Sequence, residues 1–425
     1  MLSNAATRPV LPAPRHAAAH WQRVRDEAAA MIADVPLYAG RPQPPTGDEP
    51  EAIAAWLAAM PTVQKRDLRR GFPKSLVRKS CDLKQAMQDG AVEIIATSGT
   101  TENRLQVLWE WSWWDPQERE AMRLNARVAE VMAPGGSFRE AVLTTPVCGG
   151  ATCHIGTLSR AERTVDGMLF LNQVADPSLW NDGELGRMVD EWNDLKPDGV
   201  ESDPQYLAAL CRWAAARGTT LHAPSFVTLT YEQATRAALR AIRRGLPSTG
   251  VFDLYGATEA GVLFMQCPHG RLHHNARHSH IELCDVGGGL GRVVVTTLGR
   301  TWMPLLRYDI GDLVRPIAGA CGCGRPDEGY QLARIEGRAN DAIERSGALL
   351  TPAGLDDIVD AADETIAQWQ LARGEGDAWI FHVVGSSDGG ARAAAALGQA
   401  LGAPVEARPA ALIQPEASGK YRIVR

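Results

Sequence analysis

The stretch Val251-Phe252-Asp253-Leu254-Tyr255-Gly256-Ala257-Thr258-Glu259 indicates a strand that ends at a glycine and is followed by a carboxylate. The apolar residues before Tyr255 predict the strand, and Gly256 allows another group to approach the backbone closely. Mg²⁺ prefers one or two protein carboxylates together with phosphate oxygens, so Glu259 alone is a sufficient protein ligand. The alternative is a surface glutamate that opens a helix, where it favours the helix N-terminus.

A second strand-and-loop pattern lies earlier in the chain. Residues 91–96 are apolar and partly β-branched, which predicts a buried strand. They lead into Thr97-Ser98-Gly99-Thr100-Thr101, whose backbone N–H groups and hydroxyls can surround the phosphates of a nucleotide. The loop is not a Walker loop, because no Gly-Lys-Ser/Thr ends it. Taken alone, it is more typical of a plain turn.

Two later segments carry charges suited to a ribose. Tyr308-Asp309-Ile310-Gly311-Asp312 ends in a carboxylate that can accept hydrogen bonds from both ribose hydroxyls. The pair Gly337-Arg338 adds an arginine further along the chain. Taken alone, Asp312 and Arg338 are each more typical of a solvated surface charge.

A lysine lies in a short turn near the last residue of the sequence, in Glu416-Ala417-Ser418-Gly419-Lys420-Tyr421-Arg422. A mobile ammonium group can stabilise negative charge that develops on phosphoryl and carboxylate oxygens. A lysine in such a turn is otherwise an exposed, solubilising residue. The spacing of Lys420 from the Gly337-Arg338 pair favours the functional interpretation.

The alternation of predicted strands and helices indicates a largely α/β architecture. One clear helix is predicted at residues 235–244, ended by Gly245 and Pro247. We predict a large domain of several subdomains at residues 1–337 and a small mobile α+β domain at 338–425 that carries Lys420. The small domain is predicted from a helix at 355–363, a strand at 379–384, a glycine-rich turn at 385–390 and a helix at 391–401.

Composition excludes several classes of partner. The chain has 425 residues, of which 45% are hydrophobic and 22% charged, as is ordinary for a globular protein of two or more domains. The formal net charge of −6 gives no broad basic field, so neither nucleic acid nor a membrane is expected as a partner. With no targeting segment and no apolar stretch of membrane-spanning length, we expect a cytoplasmic location.

The cysteines are too sparse for a disulfide scaffold, but three of them predict a metal site within the segment 267–323. Cys267, Cys321 and Cys323 with His273 give a closed tetrahedral Cys₃His set, and the surrounding glycines permit tight turns. No position stays open for catalysis, so a structural Zn²⁺ is favoured. His274 is an alternative to His273, and Cys267 can instead be a small buried hydrophobe.

In this order and spacing the segments resemble the adenylate-forming (AMP-forming acyl-CoA synthetase) superfamily, and the flanking sequence resembles its phenylacetate–CoA ligase branch. The resemblance implies a large N-terminal adenylation domain and a C-terminal domain that rotates between two steps. It implies that Lys420 and Glu259 are catalytic, Glu259 as the Mg²⁺ ligand. It assigns ATP binding to Ser98, Gly99, Thr100, Thr101, Tyr255, Gly256, Thr258, Asp312 and Arg338, with the Tyr255 ring stacked on adenine.

The family chemistry implied by the resemblance has two steps. A carboxylic acid and ATP give an acyl-adenylate and pyrophosphate, and a thiol, commonly that of CoA, then captures the acyl group. The resemblance assigns the acyl pocket to Ala151, His154, Tyr206, Gly256 and Ala257. Because Ala151 stands where relatives have a bulky aromatic, an amino- or hydroxy-substituted benzoate is the expected substrate. ATP, Mg²⁺, a structural Zn²⁺ and CoA are the expected cofactors and co-substrate, and a homodimer is a candidate assembly.

Three alternatives stay open from the sequence. The adenylate can pass to a carrier-protein thiol or to an amine instead of CoA. The chain can be a non-catalytic, zinc-stabilised binding protein of the same fold, because Glu102 departs from the family pattern and Thr230-Tyr231-Glu232-Gln233 is a poor match to its adenine segment. Asn340 stands where the family has its hinge aspartate, which implies different hinge energetics. A dinucleotide-dependent dehydrogenase is disfavoured, because no Gly-x-Gly-x-x-Gly follows a strand in a convincing βαβ unit.

Overall fold

The structure is a computed structural model. It describes residues 9, 12–97, 104–133, 138–144, 158–174, 177–325, 327–345, 347–416 and 418–425. The described helices are α1 (Ala18–Asp34), α2 (Pro50–Ala58), α3 (Lys65–Arg69), α4 (Leu83–Gln88), α5 (Trp111–Met122), α6 (Ala126–Val131), α7 (Asp182–Leu195), α8 (Pro204–Ala216), α9 (Arg236–Gly245), α10 (Pro352–Ala362) and α11 (Ser387–Leu401). Short 3₁₀ helices are formed by Pro36–Tyr38, Pro177–Leu179 and Ala339–Asp341.

The strands follow the same chain order. They are β1 (Glu93–Ala96), β2 (Gln106–Trp109), β3 (Glu140–Leu143), β4 (Thr164–Val165), β5 (Met168–Phe170), β6 (Gly199–Ser202), β7 (Phe226–Leu229), β8 (Gly250–Ala257), β9 (Gly261–Gln266), β10 (Leu272–His274), β11 (Ser279–Asp285), β12 (Gly291–Thr297), β13 (Tyr308–Pro316), β14 (Gln331–Arg338), β15 (Ile343–Arg345), β16 (Ala348–Leu350), β17 (Gln368–Arg373), β18 (Trp379–Val384) and β19 (Val405–Pro409). The mixture of helices and strands confirms the predicted α/β class.

Two compact units divide the chain, and each contains two of its segments. The first unit comprises Met1–Ala129 and Leu254–Ile335, and the second comprises Glu130–Asp253 and Glu336–Arg425. The chain therefore enters the second unit twice, and its second entry, at Glu336, falls two residues before the domain start predicted at 338. The division into domains at residues 337 and 338 stays a prediction.

The first unit is built on antiparallel strands in the order β11-β12-β13-β14-β10-β9, to which the end of β8 adds. Its core is one cluster of buried apolar side chains from α1, α2, the β1–β2 hairpin and these strands. Strand β12 is buried at six of its seven positions, as expected for a strand covered on both faces. Tyr255 and Asp312 lie on these strands, and Glu259 lies in the turn between β8 and β9.

The β1–β2 hairpin differs from its prediction. The sequence at 91–96 predicts a buried strand, whereas β1 forms a two-stranded sheet with β2 among the described residues and exposes alternate residues. Ile94 is 40% exposed while Ile95 is buried. A two-stranded sheet can pack one face against the core and leave the other in solvent. An apolar, β-branched run therefore does not by itself show that both faces of a strand are buried.

The second unit contains a parallel sheet followed by small sheets and helices. Strands β5, β3, β6, β7 and the first half of β8 pair in parallel in that order, and β4 adds antiparallel to β5. Helices α8 and α9 connect β6 to β7 and β7 to β8, which makes consecutive βαβ units. All four residues of β7 are buried, as a parallel strand requires.

Helix α9 begins and ends as its sequence predicts. Thr235 is the N-cap, and its side chain accepts a hydrogen bond from the backbone N–H of Ala238. The helix ends at Gly245, before Pro247. The predicted strand that delivers Tyr255 is confirmed as β8.

The predicted glycine-rich turn at 385–390 is wrong in part. Helix α11 begins at Ser387, because Ser386 caps it by accepting from the N–H of Gly389. A β-carbon at Gly389 would lie 2.4 Å from a carboxylate oxygen of Asp363. Gly389 therefore allows α11 to pack closely against Asp363 and is not part of a turn.

Candidate active-site segments and metal centre

Gly256 lies where two strands of the first unit approach too closely for any side chain. The register of β8 against β9 shifts between Tyr255 and Gly256, which is the mark of a β-bulge. A β-carbon at Gly256 would lie 2.4 Å from the carbonyl oxygen of Gly261 and 2.8 Å from the Cα of Val262. The glycine is thus required by the backbone, and the bulge turns the chain toward Thr258 and Glu259.

Tyr255 and Asp312, two predicted ATP-binding residues, contact each other. The Tyr255 hydroxyl donates a hydrogen bond of 2.7 Å to Oδ2 of Asp312, across 57 residues of sequence. Asp312 is on β13 and only 6% exposed, so its carboxylate is held in a fixed position by the tyrosine. Two strands, β8 and β13, therefore offer an aromatic ring and a carboxylate that are already oriented.

Glu259, the predicted Mg²⁺ ligand, is a buried carboxylate. It is 7% exposed, and its Oε1 accepts a hydrogen bond of 2.7 Å from the hydroxyl of Tyr308. The Arg300 guanidinium donates to the backbone carbonyl of the same residue. A carboxylate with one oxygen fixed in this way suits a divalent cation that takes few protein ligands.

Arg300 is a buried cation that sequence reasoning missed. Burial lowers its pKa to about 10, while the carboxylates of Glu110 and Glu259 oppose that shift. Its second terminal nitrogen donates to the carbonyl of Leu108 at 3.0 Å. Nothing local to Gly299-Arg300-Thr301 distinguishes this arginine from a surface residue.

The predicted phosphate loop is described only at its first residue. Thr97 is buried, and its Oγ1 accepts a hydrogen bond of 3.0 Å from the N–H of Leu105. A second hydrogen bond joins the same two residues, because the Thr97 N–H donates to the Leu105 carbonyl at 2.9 Å. Ser98, Gly99, Thr100 and Thr101, together with Glu102, lie outside the described residues.

In the second unit, several hydrogen bonds anchor the lysine turn. The Lys420 ammonium donates to the Tyr231 carbonyl at 2.6 Å, and the Tyr206 hydroxyl donates to the Gly419 carbonyl at 3.0 Å. The backbone N–H of Tyr421 donates to a carboxylate oxygen of Glu232 at 2.6 Å, and Gly419 N–H donates to the Glu416 carbonyl at 2.8 Å. Gly419 has φ +81°, which favours glycine in this turn.

Tyr231, which receives the lysine, has an unusual backbone conformation. Its φ is +72°, a region that bulky residues rarely adopt. Its hydroxyl donates a short hydrogen bond to Glu201, while its carbonyl accepts from Lys420. The segment 230–233, which matches the family poorly in sequence, therefore supplies the contacts of the lysine turn in this structure.

Asp203 is a buried carboxylate at the start of α8. Its Oδ1 caps the helix by accepting from the N–H groups of Gln205 and Tyr206, whereas its buried Oδ2 has no hydrogen-bond partner among the described residues. Burial raises the pKa of Asp203 to about 7, and the charge of Lys420 lowers it. The Asp-Pro pair before a helix predicts the cap, but not the charge interaction.

We expect Asp203→Asn to change how stability depends on pH. The ordinary pKa of 3.8 applies in the unfolded chain and about 7 in the folded one. Between these two pKa values Asp203 is ionised in the unfolded chain and protonated in the folded one, so the unfolded chain binds fewer protons. The contribution of Asp203 to the free energy of unfolding therefore falls as pH rises, by roughly 1.4 kcal/mol per pH unit. Asparagine keeps the cap and removes the charge, so relative to native protein it should gain about 3 kcal/mol between pH 4 and pH 7.

Urea unfolding at several pH values measures this effect. Asp388→Asn is the matched control, because Asp388 is an exposed carboxylate in the first turn of α11. It should leave the pH dependence unchanged. A constant difference between Asp203→Asn and native protein across the window would contradict a raised pKa at this residue.

Arg338, predicted to contact the ribose, is exposed and lies at the end of β14. Gly337 before it has φ +104°, and a β-carbon there would lie 2.7 Å from the Pro352 side chain. Just beyond, Asp341 accepts hydrogen bonds from the Arg422 guanidinium. This ion pair joins the residues after Arg338 to the segment that carries Lys420.

The predicted zinc ligands converge in the first unit. One ligand atom from each of Cys267, His273, Cys321 and Cys323 lies within 4.8 Å of all the others. The Cys267 and Cys321 sulfurs are 3.7 Å apart, and Cys323 Sγ is 3.4 Å from Nε2 of His273. A tetrahedral zinc with ordinary bond lengths needs about 3.8 Å between two sulfurs and about 3.6 Å between sulfur and nitrogen. The four residues therefore have the spacing of a closed site.

The alternative ligand, His274, points elsewhere. Its Nε2 lies 3.0 Å from the hydroxyl of Ser279, and it does not belong to the described Cys₃His cluster. Adjacent residues of β10 face opposite sides of the sheet, so only one of the two histidines can reach the cysteines.

The acyl pocket is described only in part. Ala151 and His154 lie outside the described residues. Tyr206 is fully buried on α8, with its hydroxyl bound to Gly419 and its ring 5.1 Å from that of Trp180. Ala257 is half-buried at the end of β8, one residue after Gly256. The substrate-binding role of all five residues stays a prediction.

None of the described helices is both long and apolar enough to cross a membrane. No protein-family model matches the chain. The phenylacetate–coenzyme A ligase of Thermus thermophilus is 25% identical over 379 residues, which cover 85% of this chain and 79% of that protein. The Escherichia coli enzyme of the same name is 25% identical over 335 residues, with coverage of 74% and 69%.

Solved structures give the same fold. A 2-hydroxyisobutyryl-CoA ligase in the postadenylation state superposes with a TM-score of 0.70 at 15% identity, over 96% of this chain and 88% of that one. An anthranilate–CoA ligase bound to anthranoyl-AMP superposes with a TM-score of 0.52 at 12% identity, over 77% and 65%. The fold is that of the adenylate-forming CoA ligases. In sequence the chain is similar to the phenylacetate–coenzyme A ligases, and this likeness confirms the resemblance that its motifs predict.

Proposed function

We propose that this protein is an AMP-forming acyl–CoA ligase. It joins a carboxylic acid to ATP, releasing pyrophosphate and forming an acyl-adenylate, and then transfers the acyl group to the thiol of CoA, releasing AMP. The observation that carries the proposal is the hydrogen bond between Tyr255 and Asp312, which unites two separately recognised nucleotide motifs. The phenylacetate–coenzyme A ligases among its relatives support the same acid–thiol ligase class.

The nucleotide is proposed to bind at the end of β8. The Tyr255 ring stacks on adenine, and the Asp312 carboxylate accepts from the ribose hydroxyls while Tyr255 fixes its position. Glu259 holds Mg²⁺, which neutralises phosphate charge when bound. Ser98, Gly99, Thr100, Thr101 and Thr258 contact the phosphates, and Arg338 contacts the ribose.

Lys420 is proposed to act only in the first step. As the substrate carboxylate attacks the α-phosphorus, negative charge grows on the transferring oxygens, and an ammonium group placed there lowers the barrier. The hydrogen bonds of Gly419 and Tyr421 restrict the lysine turn. Restriction of this kind reduces the entropy lost in the reacting state.

The C-terminal segment from residue 338 is proposed to be the mobile domain that alternates between the two steps. The chain there forms a 3₁₀ helix, Ala339–Asp341. Hinges use a few residues at the ends of elements, so this helix is the proposed place of backbone rotation. Asn340 stands at the position where relatives have a hinge aspartate, and Asp341 pairs with Arg422. The cytoplasmic location and the homodimer remain predictions.

Zinc is proposed to fill the Cys267, His273, Cys321 and Cys323 cluster and to act structurally. The spacing of the ligand atoms supports this, since it matches a tetrahedral site with no open position. The ion would join the turn after β9, strand β10 and the connection between β13 and β14. Its role is to hold those three segments together.

The acid is proposed to be an amino- or hydroxy-substituted benzoate. Ala151 replaces the bulky aromatic of relatives and opens space for a ring substituent, and His154 supplies a polar group near it. A pocket that hydrogen-bonds a substituent rejects the analogue without it strongly, because the buried polar group is left unpaired. CoA is the proposed acceptor, with a carrier-protein thiol or an amine as the alternative.

We expect substituted benzoates to exceed phenylacetate in kcat/KM, by about 10-fold or more if the substituent is hydrogen-bonded. Pyrophosphate release with ATP and a panel of aryl acids measures the preference. Ala151→Phe should reduce turnover of the substituted benzoates by filling the pocket, whereas Ala151→Gly should not. A preference for phenylacetate or for straight-chain fatty acids would contradict this account of the acyl site.

A further inference from the structure

A second group of metal-ligating side chains lies in the first unit, outside the proposed nucleotide and zinc sites. His16 lies just before α1, His20 lies in the first turn of α1, and His280 lies on β11. One nitrogen from each of the three rings lies within 4.8 Å of the other two. Both His20 and His280 are buried, at 9% and 1% exposure, and the His16 side chain is fully buried.

His16 is the most informative member of this histidine cluster. Both of its ring nitrogens are buried without a hydrogen-bond partner among the described residues. A buried polar atom without a partner is costly, and native structures contain few of them. An imidazole is also the commonest metal-ligating side chain in proteins. A ligand that accepts the His16 lone pair would remove this cost.

The spacing of the other two rings fits coordination. Nε2 of His20 lies 3.1 Å from Nδ1 of His280. Two imidazoles on one ion, each bonded at the ordinary zinc distance, have nitrogens roughly 3.0 to 3.4 Å apart, depending on the coordination angle. The same spacing also allows a hydrogen bond between the two rings, which needs no metal. The buried ring nitrogens of His16 favour the metal, because a hydrogen bond between His20 and His280 leaves them without a partner among the described residues.

The His16 ring can turn toward an ion without losing a hydrogen bond. It now stacks on His20, with ring centroids 3.8 Å apart and planes within 6°. Coordination requires its lone pair to leave that parallel arrangement. Because no described residue hydrogen-bonds to the ring, the rotation costs ring contacts, namely the stack on His20 and the edge contacts with Trp21 and His274, but no hydrogen bond.

We propose that His16, His20 and His280 form a site for a divalent transition-metal ion, separate from the Cys₃His cluster. Three imidazoles without thiolates suit zinc, cobalt, nickel or copper. Glu328 is available as a fourth ligand, since its Oε1 lies 3.9 Å from Nδ1 of His16 and its side chain is partly exposed. The proposal does not depend on the proposed ligase activity.

Such an ion would join the N-terminal segment to the sheet of the first unit. The segment already pairs with residues before β14, where Gly329 N–H donates to the Arg15 carbonyl at 2.6 Å and Arg15 forms an ion pair with Asp327 at 2.9 Å. A metal bond at His16 would add to these contacts. The site is therefore structural, and its loss should release the segment without removing the nucleotide motifs.

Cobalt binding to the full-length protein tests the proposal. Co²⁺ is added to native protein, to His16→Ala and to His278→Ala, and the visible absorption is recorded. A histidine-only site should give d–d bands without the near-ultraviolet thiolate-to-cobalt band that the Cys₃His cluster gives. The difference spectrum between native protein and His16→Ala isolates the histidine site even if the cysteine cluster also takes cobalt.

The two variants make a matched pair. His278 is two residues from His280 and half-buried, but it does not belong to the described histidine cluster. We expect one added equivalent of cobalt in native protein and His278→Ala, and at least 10-fold weaker binding in His16→Ala. The melting temperature should rise with added Zn²⁺ in the first two proteins and less in the third. Equal cobalt spectra for native protein and His16→Ala, or the absence of thiolate-free cobalt bands in native protein, overturn the proposal.

Discussion

Lys420→Ala should abolish most of the adenylation activity while sparing the transfer of a supplied acyl-adenylate to CoA. The ammonium group is needed where charge develops during attack on the α-phosphorus, and loss of one such group costs on the order of 10²-fold or more in rate by analogy with oxyanion donors. The hydrogen bond from Lys420 to the Tyr231 carbonyl is also lost. The anchors through Gly419 and Tyr421 remain, so the turn should keep its place.

The two half-reactions are measured separately. Pyrophosphate exchange reports adenylation, and thioester formation from synthetic acyl-adenylate reports transfer. Lys84→Ala is the control, because Lys84 is an exposed lysine on α4 and should leave both steps unchanged. An equal loss in both half-reactions for Lys420→Ala would contradict a role confined to adenylation.

Cys321→Ser should remove the bound zinc and lower the melting temperature strongly. Binding energy at a structural zinc site is also folding energy, and replacement of one thiolate should cost on the order of 5 kcal/mol, or about 10 °C in melting temperature. Metal content per chain, measured by mass spectrometry of the purified protein, should fall from about one equivalent at this cluster. Any ion at the histidine cluster is recognised by its loss in His16→Ala.

The control for this prediction is Cys81→Ser. Cys81 is a partly exposed cysteine outside the described metal clusters, so its replacement should change neither metal content nor melting temperature appreciably. A native protein that carries no zinc, with a Cys321→Ser variant that melts at the native temperature, would contradict the structural-zinc proposal.

The sequence predicts those parts of the fold whose signal is local. Thr235 and Gly245 mark the ends of α9 because capping depends on residues within one helical turn. The prediction that residues 91–96 form a buried strand is wrong at the exposed positions of β1. An apolar run shows which residues are hydrophobic, but it does not show whether one or both faces of the strand are packed against other elements. Gly389 and Gly390 indicate a turn in the sequence, whereas both lie in α11, where they pack closely against Asp363 and Val383 respectively.

The candidate site shows the same division. Cysteines are few in this chain and have few roles outside a disulfide scaffold, so residue type and local sequence predict the Cys₃His cluster but do not decide between His273 and His274. The partners of Lys420 could not, because Tyr231 and the lysine are 189 residues apart. Asp203 resembles an ordinary helix cap, and its raised pKa arises only from burial in the folded chain.

The most direct test of the central claim is to incubate the purified protein with ATP, Mg²⁺, CoA and a panel of substituted benzoates. Products are separated by chromatography and identified by mass spectrometry. The account predicts that AMP and an aryl–CoA thioester appear in equal amounts, with pyrophosphate, and that neither forms without the acid. Formation of ADP and phosphate instead of AMP, or no acid-dependent AMP with any member of the panel, would contradict the claim that this protein is an AMP-forming acyl–CoA ligase.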